Sequence, residues 1–504
     1  MAGGSSEPAT ASNSCGDGVC EEWVRRYHNP MGSSQAFALA ADANGVYVTG
    51  SSPDALGDYD DYVTVKYGHN GNELWVRRYD GPAGKWDGAR AIALDDAGNV
   101  YVTGMSVGSG TDTDIATIKY DSEGNEIWVV RYDGPASQPD DATLVAVDGG
   151  GNVYVGGVAA NDFVTIKYDS VGNETWATTY DGGSFDNLCC VAVDSIGNVY
   201  ISGGASGNPE TMDYVTLKYD ADGNQLWLAQ YDGPASDEDQ PTSLAVDEAG
   251  NVYVTGHSRG VGTGRDYTTI KYDSAGSQLW VTRYEPGETA YALALDSGGN
   301  SYVTGGGIGL DGVGNPVGGS DFHTVKYDPN GNQLWATHYN APPGNAQQND
   351  TALSVAVDAA GSVYVTGPSD GQGTDRDFAT VKYNSDGSEA WVVRYDNGNP
   401  PHISRYDSPI ALALNDAGTV YVTGRSISPT VGHSDYTTIK YSQPPPSPPP
   451  GPPAVGGIVE LRTDPDAQSE QSASRAPLSL PASVALGLLV IGAGALYVMR
   501  MRRG

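Results

Sequence analysis

Cysteine is scarce in this sequence, with 4 residues among 504, so a disulfide scaffold is excluded as the main source of stability. Cys15 and Cys20 are close enough in sequence to close a small loop in an oxidising compartment. The seven histidines show no HxH or HExxH spacing, and we therefore predict no dedicated metal site.

Positive charge is also limited, because 27 basic residues face 62 acidic residues and give a formal net charge of −35. A surface potential of this sign repels phosphate, so we expect no nucleic-acid partner. The N-terminus has neither a basic start nor an apolar stretch, and no secretory signal is visible there.

Glycine, proline and tyrosine are abundant, with 68, 30 and 32 residues against only 5 phenylalanines. This balance favours many short strands joined by tight turns. The chain also repeats itself: all tryptophans but Trp86 recur at intervals of about 50 residues, and each is followed four residues later by a tyrosine. These tryptophans are Trp23, Trp75, Trp128, Trp176, Trp227, Trp280, Trp335 and Trp391.

Three more strand-like runs separate successive tryptophans: AIALD, NVYVTG and DIATIKYD in one unit, with close variants in the others. Turns such as DAGN and DSEGN join them, because Asp, Gly and Asn adopt the positive φ that tight hairpins need. Four strands per unit is the size of a propeller blade. The sequence therefore predicts an all-β propeller.

The two ends of the repeat region complement each other. The first three strands of the unit occur eight times, the last copies being at 411–415, 420–424 and 435–441, but no Trp strand follows them. The missing strand is EEWVRRY, from Glu21 to Tyr27, at the start of the body. We therefore predict an eight-bladed propeller whose ring is closed by the N-terminal strand joining the last three strands.

Small residues recur in the first strand of each unit, for example Ala91 and Ala93, which suits the crowded position nearest the propeller axis. The Trp and Tyr rings then belong at the wider interfaces between blades. From Glu21 to Tyr441 the words VYVTG, TIKYD, GN-x-x-W and RYDG resemble the bacterial β-propeller repeat family called SBBP. The resemblance implies a surface or secreted repeat protein with no catalytic residues to carry over; its name refers to seven blades, whereas this sequence counts eight.

Two repeated motifs have both structural and functional interpretations. A Thr and a Lys recur in every third strand, as in Thr64 and Lys66, and a feature present in every copy favours packing over a ligand site. The segment DADGN, from Asp220 to Asn224, resembles the start of a calcium loop, but the twelfth position holds Tyr231 where such a loop has Glu. We interpret it as a hairpin turn and leave calcium in acidic loops such as 237–239 open.

Enzymatic propellers provide further comparisons. The stretch DSEGNEIW, from Asp121 to Trp128, resembles the Asp box of sialidases and the tryptophan-docking repeat of quinoprotein dehydrogenases, although the spacings differ. A sialidase also needs converging arginines, whereas many arginines here repeat before the tyrosine of the Trp strand: Arg26, Arg78, Arg131, Arg283 and Arg394. The adjacent Cys189 and Cys190 resemble the cysteine pair of quinoprotein dehydrogenases, but they align with Arg90 and Ala91 at the entry to a first strand, where small buried residues are ordinary.

The composition changes after the repeats to SQPPPSPPPGPP, an extended Pro-rich spacer. Residues 480–499 carry no charge and are long enough to span a bilayer of about 30 Å as a helix. Arg500, Arg502 and Arg503 follow, which puts the tail in the cytoplasm and the propeller outside by the positive-inside rule. This order resembles bacterial C-terminal sorting signals, in which the helix is cut off after export, and processing stays open.

The predicted organisation is a disordered polar segment at 1–20, an eight-bladed propeller at 21–441, a linker at 442–479, a transmembrane helix at 480–499 and a basic tail at 500–504. We predict a non-enzymatic cell-surface binding or scaffold module with a protein or polysaccharide partner, and no catalytic, cofactor-binding or metal residues. The competing predictions are an enzyme with a central-channel site, quinoprotein-dehydrogenase-like or glycan-processing, and a purely structural envelope protein. The loops at 307–319, 339–350 and 396–406 depart most from the repeat and are the expected binding region.

Overall fold

The protein is described here by a computed structural model. It describes residues 5–6, 14–16, 19–110, 112–135, 138–183, 185–206, 211–310, 316–341, 349–371, 376–397, 406–415, 418–428 and 432–443. The predicted linker beyond residue 443, the membrane helix at 480–499 and the basic tail lie outside these ranges. Within them, no helix has the length and apolar character needed to cross a membrane.

The described residues form short antiparallel strands. The N-terminal strands are β1 (Ser5–Ser6), β2 (Ser14–Gly16) and β3 (Val19–His28). Blades 1 and 2 comprise β4 (Gln35–Asp42), β5 (Gly45–Pro53), β6 (Asp60–Tyr67) and β7 (Glu73–Tyr79), then β8 (Asp87–Leu94), β9 (Val100–Val107), β10 (Thr113–Tyr120) and β11 (Glu126–Tyr132). Blades 3 and 4 comprise β12 (Asp140–Val147), β13 (Val153–Ala159), β14 (Asp162–Tyr168) and β15 (Glu174–Tyr180), then β16 (Phe185–Val193), β17 (Val199–Ser206), β18 (Asp213–Tyr219) and β19 (Gln225–Tyr231).

The second half continues the pattern. Blades 5 and 6 comprise β20 (Asp239–Val246), β21 (Val252–Arg259), β22 (Arg265–Tyr272) and β23 (Gln278–Tyr284), then β24 (Gly287–Leu295), β25 (Ser301–Leu310), β26 (Pro316–Tyr327) and β27 (Gln333–Tyr339). Blade 7 comprises β28 (Ser354–Val357), β29 (Val363–Asp370), β30 (Arg376–Tyr383) and β31 (Glu389–Tyr395), and blade 8 contains β32 (Ser408–Leu414), β33 (Val420–Ile427) and β34 (Ser434–Ser442). Each of blades 1 to 7 is a separate four-stranded sheet with its strands paired in sequence order, which confirms the predicted blade.

Blade 8 is built from both ends of the body. β3 pairs antiparallel with β34, with Trp23 opposite Lys440 and Tyr27 opposite Tyr436, so the sheet runs β3-β34-β33-β32. β32 also contacts β4 of blade 1. The predicted sharing of one blade between the termini is confirmed, and the count is eight.

The N-terminal segment adds to this sheet. β1 and β2 both pair with β3, so the structure places strands inside the segment that we expected to be disordered. Cys15 lies directly across from Cys20 in the β2–β3 register, and Cys20 is disulfide-bonded.

The first strand of each blade is innermost. Each inner strand contacts the inner strand of the next blade, all the way round the ring. The expected small residues lie there: Ala91, Ala292 and Ala411 are 2 to 3% exposed. Backbones can approach closely at these positions because a methyl group takes little space.

The Trp rings lie between blades, as predicted. Trp75 packs against Tyr47 of its own blade and Tyr120 of the next, with ring centroids 6.1 and 6.2 Å apart. Its indole N–H and the Lys66 ammonium both donate to the carbonyl oxygen of Ser122, at 3.2 and 3.0 Å. We call this shared acceptor the clasp carbonyl; the corresponding acceptors are Ser170, Ala221, Ser274, Pro329 and His69.

A glycine beside the clasp carbonyl makes the close approach possible. Gly124 has φ +80°, and a Cβ added there would lie 2.7 Å from Trp75 Cδ2. Glycine is therefore required both by the turn and by the ring of the preceding blade. The recurring Thr has an internal role, since Thr64 is hydrogen-bonded to Thr49 of the neighbouring strand at 2.9 Å. The structural interpretation of the Thr and Lys repeats is thus supported.

We predict that Trp23→Ala lowers the melting temperature strongly, because this 3% exposed ring seals the blade made from both termini. Truncating a buried Trp costs about 3–5 kcal/mol. The matched control is Trp86→Ala, whose ring is 52% exposed and whose loss should cost within about 0.5 kcal/mol. Scanning calorimetry of both variants checks this, and equal melting temperatures would contradict the closure.

Candidate functional site: the variable end of the ring

The connections between strands fall at two ends of the ring. Connections from first to second and from third to fourth strands are short hairpins of one repeated type, and we call their end the regular end. Connections from second to third strands, and from each outer strand to the next inner strand, lie at the opposite end. They differ between blades, from the two-residue turn Ala160–Asn161 to the long connection between β27 and β28, and we call this the variable end.

Hairpins at the regular end use their acidic side chains internally. Asp220 Oδ1 accepts hydrogen bonds from the backbone N–H of Asp222 and Asn224 at 3.0 and 2.8 Å, and Oδ2 accepts one from the Asn224 side chain at 2.9 Å. The bonds from Asn224 hold the pKa of Asp220 below its usual value. The predicted hairpin at 220–224 is confirmed.

All three predicted departures from the repeat lie at the variable end. Residues 307–319 include the end of β25 and the start of β26, and 339–350 and 396–406 lead from outer strands to inner strands. Residues 311–315, 342–348 and 398–405 lie outside the described ranges. The described flanks of the first two segments meet, because the Asp350 N–H donates to the Ser320 carbonyl at 2.7 Å and Ser320 Oγ donates to the Asp350 carbonyl at 3.1 Å.

The repeated arginines of blades 1, 2, 5 and 7 each form a separate node at this end. Arg131 donates to Asp114 Oδ2 at 2.7 Å, to Ser106 Oγ and O at 2.6 and 2.8 Å, and to the Tyr79 hydroxyl of the preceding blade at 2.9 Å. Asp114 is 5% exposed, so the guanidinium compensates a buried carboxylate. The same ion pair occurs as Arg78–Asp61, Arg283–Asp266 and Arg394–Asp377. These arginines do not converge on one site, as the sequence indicated.

Three blades lack this arginine, and each also lacks its serine partner. Blade 3 has Thr179 and Ala159 at the two positions, and blade 4 has Gln230 and Ala205. Blade 6 has His338 and Gly307. The arginine and the serine are thus replaced together, as expected for two groups that serve one hydrogen-bonded node.

Two stacked histidines, His323 and His338, occupy the node of blade 6, with ring centroids 5.9 Å apart. His323 is fully buried; its Nε2–H donates to the Ile308 carbonyl at 3.0 Å, and its Nδ1 accepts from the Tyr284 hydroxyl at 3.1 Å. Burial lowers the pKa of His323 to about 4, which keeps the ring uncharged. Burial also raises the pKa of the neighbouring Asp321 to about 6.

Carboxylates gather where one blade meets the next. Among the described residues, three groups place one oxygen from each of three aspartates within 4.8 Å of one another: Asp61, Asp80 and Asp87; Asp162, Asp181 and Asp186; and Asp213, Asp232 and Asp239. Burial, followed in effect by the charges of Asp162 and Asp181, raises the pKa of Asp186 to about 6. The sequence analysis did not find these groups, since their members belong to two different blades.

The inner strands share a bulge whose central residue differs from blade to blade. In seven of them the pairing register shifts around one bulged residue, for example Arg90 between Ala89 and Ala91. The residue at this alignment position is half-buried in every blade: Phe37, Arg90, Thr143, Cys189, Thr242, Tyr291, Leu353 and Ile410. These half-buried side chains lie on the innermost strands, whereas the small residues on either side of them, such as Ala89 and Ala91, are buried.

Arg90 and Cys189, two of the residues at this position, make contacts that the other blades do not repeat. The Arg90 guanidinium lies 5.2 Å from the Phe37 ring centroid and 3.8 Å from Asp141 Oδ2 of the next blade. Cys189 and Cys190 form a disulfide between adjacent residues. The predicted alignment of Cys189 and Cys190 with Arg90 and Ala91 is confirmed by the shared position of the register shift. The cysteines lie inside β16 and not at its entry, and Cys189 is half-buried and part of a bulge, a feature that local sequence does not reveal.

We predict that Arg131→Leu destabilises the protein by about 3 kcal/mol, because it leaves the buried Asp114 carboxylate without its counter-ion. The control is Thr179→Leu at the equivalent, exposed position of blade 3, where the change should stay within about 0.5 kcal/mol. Urea unfolding of both variants checks the difference, and equal effects would show that the node does not stabilise blade 2.

We predict that the stability difference between Asp186→Asn and wild type depends on pH. The folded-state pKa of about 6 lies above the usual aspartate value of 3.8, so the folded state favours protonated Asp186 and loses stability as pH rises through that window. The variant should therefore gain up to about 3 kcal/mol relative to wild type between pH 4 and pH 7. Urea unfolding in chelator-containing buffer measures it, and a difference independent of pH is the contrary outcome.

Several known proteins are similar to this chain in sequence or in structure. A stretch of 135 residues is 33% identical to Regulatory protein FlaEY of Caulobacter vibrioides and covers 24% of this chain but 13% of that protein. The solved Dos1 propeller aligns with a TM-score of 0.54 at 10% identity, covering 82% of this chain and 93% of that one. The WD40 domain of SCAP from fission yeast has a TM-score of 0.45 at 9% identity, covering 82% and 97%.

The Dos1 likeness supports the propeller fold alone, since its sequence identity is too low to carry function. A family match adds sequence support, because residues 229–261 match the model of the SBBP Beta-propeller repeat. This match extends from the outer strand of blade 4 through β20 to the end of β21. The repeat family indicated by the sequence is therefore supported: the chain carries an SBBP β-propeller repeat within an eight-bladed ring.

Proposed function

We propose that this protein is a non-enzymatic binding or scaffold propeller, displayed at the cell surface, that engages its partner with the variable end of the ring. The observation that carries the proposal is the difference between the two ends. Hairpins at the regular end repeat one pattern from blade to blade, and a repeated surface gives a partner no unique place to bind. At the variable end, equivalent positions carry different side chains in different blades.

Exposed aromatic residues support this assignment. Among the described residues, the most exposed large aromatic side chains are Tyr59, Trp86 and Tyr406, at 37, 52 and 45%. All three lie in connections of the variable end. Exposed Tyr and Trp rings bury large area at small entropic cost, and they are enriched where proteins bind partners. A protein or polysaccharide partner fits this surface.

Surface display rests on the C-terminal sequence. The uncharged run at 480–499 is followed by three arginines in the last five residues, which favours a single membrane span with the propeller outside. Removing residues 480–504 should release the protein from the membrane fraction into the medium, as blotting of both fractions would show. Retention of the truncated chain in the cell would contradict display.

An enzyme with a central-channel site is the competing function, and the Cys189–Cys190 disulfide is the observation that favours it. The other bulged residues of the inner strands argue for binding instead. Apart from Arg90, they are uncharged, and Arg90 has Asp141 beside it. Acid–base chemistry needs titratable groups that face a common substrate, and this ring of side chains offers one ion pair between adjacent blades.

The binding proposal is tested with the full chain on a combined glycan and protein array. A partner identified on the array should lose at least roughly tenfold in affinity with Trp86→Ala, as expected for an aromatic hot spot. The matched control is Ile196→Ala in a hairpin of the regular end, a side chain that is 77% exposed, and it should bind like wild type. Equal losses in both variants, or a partner whose binding follows the regular end, would overturn the proposal.

A further inference from the structure

The three carboxylate groups between blades differ in what neutralises them. In the first, Arg78 donates to Asp61 at 2.8 Å. In the group of Asp213, Asp232 and Asp239, Gln230 donates to Asp213 at 2.6 Å but brings no charge. The group of Asp162, Asp181 and Asp186 lies beside Thr179, and within the described residues no cationic side chain is paired with it.

The group of Asp162, Asp181 and Asp186 also lacks the serine that is found beside the equivalent aspartate in blade 2. In blade 2, Ser106 contributes to the hydrogen bonding of Asp87, and the equivalent residue beside Asp186 is Ala205. Asp186 is 7% exposed, and its Oδ1 has no close hydrogen-bond partner, which is also true of Asp61 and Asp239 in the other two groups. Its other oxygen accepts from the Gly182 N–H at 2.7 Å. A buried carboxylate oxygen without a partner is costly, so this position needs a ligand or a proton.

Asp162 and Asp181 complete the group. No described donor is hydrogen-bonded to the Asp162 carboxylate, and Asp181 Oδ1 accepts only the Gly183 N–H of its own turn, at 3.0 Å. The connection beside them is short: Ala160 and Asn161 have φ of 53° and 74° and form the tight turn between β13 and β14. Approach from solvent is open because Asp181 itself is exposed.

We propose that Asp162, Asp181 and Asp186 bind one Ca²⁺ ion between blades 3 and 4, where it takes the place that the arginine guanidinium has in other blades. Three carboxylates supply up to six hard oxygen ligands in an irregular arrangement, which suits calcium better than the strict octahedron of magnesium. The ion would connect Asp162 and Asp181 of blade 3 to Asp186 of blade 4. This ion site goes beyond the proposed binding function, because the ion would stabilise the ring and would not contact a partner.

The other two groups give this proposal a ranking. The group next to Arg78 already has a cation and should bind no calcium. Asp213, Asp232 and Asp239 include the acidic segment 237–239 that the sequence left open for calcium; the amide of Gln230 occupies one of its oxygens, so this group should bind more weakly. Calcium should therefore bind most tightly to the group beside Thr179 and more weakly to the group beside Gln230. It should not bind to the group beside Arg78.

The test is a titration of the full chain, freed of metal with chelator, with CaCl₂ in a calorimeter and in thermal unfolding, and with MgCl₂ in parallel. Wild type should bind calcium with a rise in melting temperature. Asp162→Asn should weaken the tightest site by at least roughly tenfold, and it leaves no broken hydrogen bond in the metal-free protein. Asp61→Asn, in the arginine-neutralised group, is the matched control and should leave the calcium titration unchanged.

A second variant guards against misfolding of the first. Thr179→Arg restores the guanidinium found in the other blades, so it should raise the melting temperature in chelator and remove most of the calcium-dependent rise. Wild type without a calcium-dependent rise would overturn the proposal. Titrations of Asp162→Asn and Thr179→Arg that match wild type would overturn it too, because calcium would then bind elsewhere on this acidic protein.

Discussion

At six of the eight interfaces, one backbone carbonyl of a blade accepts hydrogen bonds from both a Trp and a Lys of its neighbour. At the interface of blades 1 and 2 these donors are Trp75 and Lys66, and the acceptor is Ser122. The Lys ammonium also lies 4.7 Å from the Tyr47 ring centroid, so charge, ring and carbonyl form one unit. The repetition of this geometry around the ring explains why the same residues recur about every 50 positions.

The interface between blades 7 and 8 lacks the shared carbonyl. The outer strand of blade 8 comes from the N-terminus, so the hairpin that would offer the clasp carbonyl to blade 7 does not exist. Lys382 donates instead to the Gln443 side chain at 2.6 Å, and the buried Trp391 indole nitrogen has no partner. On the other side of blade 8, Trp23 and Lys440 share the carbonyl of His69 and restore the pattern.

The sequence could predict the blade, the strand order and the joining of the two ends because these depend on alternation within strands and on a repeated Trp. It did not predict the arginine nodes, although the arginines were visible, since Arg131 binds groups 17 and 25 residues away on two other strands. Recognising that Thr179 and Ala159 change together requires the register of three strands. Bulges such as that at Cys189 depend on the crowding of eight inner strands around an axis, which no local pattern encodes.

Arginine use at the variable end also relates the charge of the protein to its stability. An excess of acidic residues keeps the surface negative, and several of the few arginine side chains pair with buried carboxylates at the nodes. Where a blade lacks its arginine, the structure shows either a histidine pair that includes the buried His323, or uncompensated aspartates, as at Asp186. Variation between blades thus concentrates at one end, where it provides both the proposed partner surface and the proposed ion site.

The closed ring depends on the pairing of β3 with β34, and hydrogen–deuterium exchange of the full chain measures this pairing directly. Amides of β3 that bond to β34 should exchange as slowly as those of β11 that bond to β10, an outer strand in an uninterrupted blade. Exchange of β3 at the rate of an unstructured terminus, while β11 stays protected, would contradict the closed ring.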